Sequence, residues 1–161
     1  MITIYTDGSS RGNPGSGGYG AVTFYNDKVK EIGGKEEHTT NNRMELTAAI
    51  KALEFLTPYS LLPTPIIVFT DSEYVMKGIT LWIHNWQKKG WKTAGRKPVL
   101  NQDLWQELLR LSENRNIEWK YVAGHSGAHL NERCDEIATS FADNIPPVLY
   151  DGPRSAYQIS I

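Results

Sequence analysis

Four carboxylates, Asp7, Glu45, Asp71 and Asp135, stand where a strand is about to end or where a helix runs beside a turn. Two of them share one local context, because ITIYTDGSS and IIVFTDSEY are both short β-rich runs that end in Thr-Asp and continue into small or polar residues. Two strands therefore deliver one carboxylate each. An Asp at the end of a strongly apolar run is partly buried and needs a cation or hydrogen-bond donors to stay ionised. Glu45 falls near the start of a helix, with Ala48, Ala49 and Ala52 at helical spacing leaving room beside it. Taken singly, each acid has a structural explanation, since Asp caps helices and Glu complements their dipoles. Taken together they predict a metal site. Hard oxygen donors, a lone cysteine and histidines only at 38, 84, 125 and 129 favour Mg²⁺ or Mn²⁺ over zinc. His125 and His129 are spaced i, i+4, but Gly124 and Gly127 argue against a helix there, so a two-histidine zinc pair is not expected. Such a histidine is more often a surface residue, but His125, in the loop GHSG after a strand, is a candidate proton shuttle beside a metal-bound phosphate.

The elements that must position these groups follow from periodicity. Residues 1–7 and 20–26 alternate as strands joined by the Gly-rich DGSSRGNPGSGG, and a weaker third strand is expected near Lys30 to Glu37. The run MELTAAIKALEFL places Leu46, Ala49, Ile50 and Leu53 on one helical face and should stop before Thr57-Pro58. PIIVFTDS reads as a buried central strand. A helical stretch follows with Ile79, Trp82, Ile83 and Trp86 as a stripe broken by Gly90. Then come a helix in DLWQELLRL, a fifth strand in IEWKYVAGH and a last helix in NERCDEIATSFA. This order predicts an α/β domain with a five-stranded mixed sheet, residues 1–143, and a Pro-rich C-terminal tail, residues 144–161. GSGGYG at 15–20 matches G-x-G-x-x-G, but a strand pattern follows it where a dinucleotide site needs a helix N-terminus. Flexible hairpin glycine is the expected reading.

A chain of 161 residues, 40% hydrophobic and 22% charged, fits one globular domain. It has no signal-peptide pattern and no run near the roughly 18 apolar residues of a membrane helix, which predicts a cytosolic protein without membrane contact. Cys134 lies at helical spacing with Ile137, Ala138 and Phe141 and should be buried packing. The net charge of −1 hides a division. Between Glu73 and Asp103 lie six Lys and Arg residues and no acid, leaving −7 on the remainder. Lys77, Lys88, Lys89, Lys92, Arg96 and Lys97 interleave there with Trp82, Trp86 and Trp91. A basic, aromatic segment on an acidic body suggests a polyanion partner.

The blocks TDGS, GNPG and GGYGA at 6–21, TTNNRMEL at 39–46, TDSEYV at 70–75, GITLWIHNWQKKGWK at 78–92 and GHSGAHLNERCDEIA at 124–138 closely resemble bacterial type 1 ribonuclease H, the ribonuclease HI family. They run in family order over residues 1–143. The resemblance implies a ribonuclease H-like fold, with the first three strands antiparallel and helices on both faces. It implies hydrolysis of the RNA strand of an RNA/DNA hybrid, leaving 5′-phosphate and 3′-hydroxyl ends, with two Mg²⁺ ions, or Mn²⁺ in their place, held by Asp7, Glu45, Asp71 and Asp135. In that scheme Asp7 bridges the ions, Glu45 and Asp71 complete one coordination sphere, Asp135 completes the other, and His125 relays a proton. Ser10, Asn13, Asn41, Asn42 and Glu73 would follow the RNA minor groove, where 2′-hydroxyls are displayed. His38, Thr40 and Asn85 would meet a DNA phosphate, and the segment around 82–97, with Trp82, Lys88, Lys89 and Lys92, would grip the hybrid as a basic handle. A monomer is expected. The chain departs from the family pattern at Glu73, where Gln is common, at His38, where Arg is typical, and at Ala123, which lacks the usual positive charge. The alternatives are a non-catalytic nucleic-acid binding module, which the intact acidic quartet argues against, and a metal-dependent nuclease or strand-transfer enzyme of similar fold acting on DNA.

Overall fold

β1 (Ile2–Ser10) runs antiparallel to β2 (Gly15–Tyr25), which runs antiparallel to β3 (Lys28–Thr39). The computed structural model describes residues 1–59, 64–123 and 129–159. Helix α1 (Asn41–Leu56) crosses over to β4 (Pro65–Thr70), which lies parallel to β1 on its other side. The chain continues through α2 (Glu73–Lys77), a π-helical turn over Gly78–Trp82, α3 (Ile83–Lys88) and α4 (Gln102–Ser112). It then reaches β5 (Asn116–Tyr121), parallel to β4, and α5 (His129–Ala142). The expected elements form, and α1 stops at Leu56 before Thr57-Pro58. However, β1 and β2 run on into the Gly-rich stretch expected to join them, to Ser10 and from Gly15, so that only residues 11–14 make the turn.

The sheet has six strands rather than five. A short β6 (Asp151–Pro153) pairs antiparallel with β3 at Lys28–Lys30, giving the order β5-β4-β1-β2-β3-β6. Three residues beside prolines carry no alternation to read. What holds them is a long-range polar anchor, the buried carboxylate of Glu31 on β3. Glu31 accepts from the Arg133 guanidinium at 2.7 and 2.9 Å, from the Tyr150 N–H at 2.9 Å and from the Tyr157 hydroxyl at 2.8 Å. Burial opposes the charge on Glu31, but these donors outweigh it and hold the carboxyl below its ordinary value.

Helices cover both faces. On one, α1 and α4 pack with Ile4, Leu46, Leu53, Val68, Trp105 and Leu108, and Trp105 is fully buried. On the other, Leu130 and the buried Cys134 of α5 pack against Tyr5, Val22, Phe24 and Val29. The approach of α5 is close enough to require glycine. A β-carbon at Gly18 would lie 2.1 Å from the Ala138 carbonyl oxygen, and one at Gly20 would lie 2.6 Å from that of Cys134. Gly18 and Gly20 of GSGGYG are therefore a helix seat, where flexibility is the expected reason for them.

Candidate active site

The parallel pairing of β1 and β4 sets Thr6 opposite Thr70, so Asp7 and Asp71 emerge side by side one residue later. The turn after Asp71 is fixed by its neighbours: Thr70 Oγ1 accepts from the Ser72 N–H at 3.1 Å, and Ser72 Oγ caps α2 by accepting from the Val75 N–H at 3.1 Å. Glu45 arrives from α1. The start of that helix is capped by Thr40, whose hydroxyl accepts from the Arg43 N–H at 3.2 Å. It rests directly on Gly8, where a β-carbon would fall 2.3 Å from the Glu45 nitrogen. Only glycine beside Asp7 lets the α1 backbone come this near.

One ligand oxygen each from Asp7, Glu45 and Asp71 lie within 4.8 Å of one another. They line a cavity of about 280 Å³ together with Gly8, Asn41, Asn42, Ser72, Asn131, Glu132 and Asp135. Asp135 thus shares the cavity but stands outside the tight trio. Asp7 is only 4% exposed and accepts a hydrogen bond from the Gly8 N–H at 2.8 Å. Burial, with Asp71 and Asp135 nearby, pushes its carboxyl up to about 7 despite the Gly8 N–H and a shared contact with Glu45. Burial and then Asp7 raise Glu45 well above the usual carboxylate range. Burial likewise raises Asp71, while Asn131 pulls the other way. Crowded acids of this kind must share protons or neutralise one another with a cation.

The donor set fits a hard divalent cation. Every group is a carboxylate oxygen, and among the described residues the buried Glu45 Oε2 has no hydrogen-bond partner. A buried acceptor without a partner in a ring of acids is one that a bound cation would satisfy.

The other expected site residues divide by place. Asn41 and Asn42 line the carboxylate cavity. Ser10, at the end of β1, donates to the Gly12 and Thr39 carbonyls, and Asn13 is exposed in the turn that follows. His38 lines a separate groove with Glu36 and Arg43, and the Thr40 hydroxyl accepts the helix-cap bond. Glu73 is exposed and paired with Lys77 at 3.6 Å, one helical turn on. Trp82 is 36% exposed, with its ring beside Tyr74 and Trp86. Asn85, Lys88, Lys89 and Lys92 are all exposed on α3 and the segment after it. That segment folds back on itself, with the Thr93 N–H donating to the Lys97 carbonyl and the Val99 N–H to that of Trp91. His125 lies outside the described residues. Gly8, Ser72, Asn131 and Glu132 also line the cavity and went unread in the sequence; of these Asn131, four positions before Asp135 and therefore on the same helical face, is 6% exposed against Asp71. That spacing is the signal that could have found it.

Residues 1–143 match the family model described as RNase H. The chain belongs to the ribonuclease H family. Among its relatives are a Caulobacter vibrioides ribonuclease HI, 54% identical over 137 residues (85% of this chain, 89% of that one). An Escherichia coli ribonuclease H is 50% identical over 161 residues, 100% of this chain and 98% of that one. Among solved structures, LC11 ribonuclease H1 in complex with an RNA/DNA hybrid superposes with a TM-score of 0.70 at 26% identity, covering 89% of this chain and 98% of that one. The chain is thus a member of the bacterial HI type of this family and a hydrolytic enzyme, with Asp7, Glu45 and Asp71 assembled as an acidic cluster. No helix among the described residues is long and apolar enough to cross a membrane.

Proposed function

We propose that the protein is an endonuclease that hydrolyses the RNA strand of RNA/DNA hybrids using two Mg²⁺ ions, with Mn²⁺ as an accepted substitute, and leaves 5′-phosphate and 3′-hydroxyl ends. The observation that carries this reading is the convergence of Asp7, Glu45 and Asp71 within 4.8 Å in a cavity also lined by Asp135, Asn41 and Asn42. Family membership and the hybrid bound to LC11 ribonuclease H1 support the substrate. Asp7, Glu45 and Asp71 would hold metal, with Asp135 completing the set. When bound, such ions would supply Lewis-acid activation of the attacking water and of the departing 3′ oxygen. The carboxylates then act as ligands, and no covalent protein nucleophile is needed. Asn131 holds Asp71 in place. Asn41 and Asn42, which line the cavity at the start of α1, would meet 2′-hydroxyls of the RNA strand, as would Ser10, Asn13 and Glu73. His38, Thr40 and Asn85 take a DNA phosphate, and His125 relays a proton. Residues 1–143 form the catalytic domain and residues 144–161 its C-terminal tail, of which Asp151–Pro153 pairs with β3, and the enzyme works as a cytoplasmic monomer.

A hybrid labelled first on the RNA strand and then on the DNA strand tests the reaction. RNA fragments ending in 3′-hydroxyl are expected, and cutting of the DNA strand at a similar rate overturns the reading. Grip is separable from chemistry. Charge reversal of Lys88, Lys89 and Lys92 to Glu should raise KM at least about tenfold with kcat changed little, and should flatten the salt dependence of KM by roughly one counterion per lost phosphate contact. A collapse of kcat at unchanged KM would remove the handle from the account.

A further inference from the structure

We infer that the buried fork between Glu31 and Arg133 is a positioning device for the reaction: it sets the roll of α5 and, through the helix, where Asp135 sits. This rests on the reading of Asp135 as a metal ligand given above. Asn131 and Asp135 lie one helical turn apart on the cavity side of α5. Arg133 is two residues from each, about 200° around the helix from both, so its side chain holds the helix from the opposite side. There its Nε and Nη2 donate to both oxygens of Glu31 at 2.7 and 2.9 Å, and Nη1 lies 3.0 Å from Glu136 Oε1.

Packing does part of this job. Leu130 and Cys134 pack against Tyr5, Val22, Phe24 and Val29, whereas Gly18, Gly20 and Gly33 bring α5 close to the sheet without side chains of their own. Directional polar contacts at the two ends add to that apolar contact. Arg133 forks onto Glu31 near the start, and Arg11 forks onto Asp143 just past the end at 2.7 and 2.6 Å. The first is the rigid one. Glu31 is 3% exposed and is also fixed by the Tyr150 N–H and the Tyr157 hydroxyl from the C-terminal segment, whereas the Arg11 and Asp143 side chains are 50% and 39% exposed. A buried ion pair adds little net stability over an apolar pair of similar size, and what it adds is a single geometry. Asp135 is the carboxylate most exposed to that geometry, because it alone among the four is carried by α5.

The test pairs each fork variant with Asp135→Asn. Arg133→Lys keeps the charge and loses the bidentate geometry. Glu31→Gln keeps an oxygen for Tyr157 and carries the same comparison with less disruption. An apolar exchange, Glu31→Met with Arg133→Leu, removes the pair without leaving a buried charge. Denaturant unfolding reports that each variant is folded. The expected result is a roughly tenfold fall in single-turnover rate at unchanged KM, with a matching fall in Mg²⁺ affinity measured by calorimetry without substrate. In the Asp135→Asn background the same changes should have no further effect, because the fork acts through that residue. Folded variants with unchanged rate and Mg²⁺ affinity overturn the proposal, as does a loss that persists in full beside Asp135→Asn. Wild-type cleavage by Asp135→Asn alone, with the fork intact, marks failure of the underlying ligand assignment and removes the proposal with it.

Discussion

Asp7→Asn is expected to lose at least about a thousandfold in cleavage rate while making the metal-free protein more stable. Both effects come from one fact: the cavity crowds acids whose charges the fold alone does not neutralise. The amide keeps the acceptor for the Gly8 N–H, which is 2.8 Å away, but removes a ligand from the centre of the trio. The stability change has a defined pH window. Burial pushes the Asp7 carboxyl up to about 7, and the acids crowded around it share the bound protons, whereas an unfolded Asp releases its proton near 4, so the folded state binds more protons between those values. Metal-free wild type should therefore lose stability as pH rises from about 4 to 7, and Asp7→Asn should lose less. At pH 8 the variant gains on the order of 2–4 kcal/mol by this linkage. Denaturant melts at pH 5.5 and pH 8, with and without Mg²⁺, read the effect. Mg²⁺ should stabilise wild type at pH 8 in proportion to its occupancy and leave the variant almost unmoved. A variant less stable than wild type at pH 8 without metal would contradict the crowding.

Gly18→Ala should cost more than about 3 kcal/mol and lower kcat by roughly a hundredfold in whatever fraction remains folded. The new methyl would stand 2.1 Å from the Ala138 carbonyl oxygen and 2.8 Å from the Ala142 nitrogen. These are backbone atoms, so no rotamer change relieves the clash. The helix must move by on the order of 1 Å to restore contact distance, and Asp135 moves with it. Gly95→Ala, where the nearest atom to a β-carbon is 3.9 Å away, is the control and should be near neutral in stability. An unfolding midpoint unchanged in Gly18→Ala would mean that α5 is not seated as described.

How far the sequence carried depended on the range of the interactions involved. Strands β1 and β4 were legible because each is a local apolar run with a distinctive Thr-Asp ending, and the parallel register of Thr6 with Thr70 turned that repeated ending into a pair of adjacent carboxylates. Helix α1 was legible from its face, and Cys134 was expected to be buried and is fully so. Features made by distant partners were not. The sixth strand depends on Tyr150 and Tyr157 reaching Glu31 more than a hundred residues back, and a three-residue segment has no period of its own. The glycines of β2 have no local sign that a helix rests on them. The stretch after Asp71 reads as one helix, but a π-helical turn at Gly78–Trp82 interrupts it where Gly78 meets the Trp105 ring. Glu73, the acid hardest to place from sequence, stands beside Lys77 and outside the carboxylate cavity.

The substrate is the centre of the account. Labelled RNA/DNA hybrid, duplex DNA and duplex RNA of one sequence, each incubated with Mg²⁺ and the same amount of enzyme, test it most directly. Rapid cutting of the RNA strand in the hybrid is expected, with neither duplex cut at a comparable rate. Cutting of duplex DNA as fast as the hybrid would contradict it.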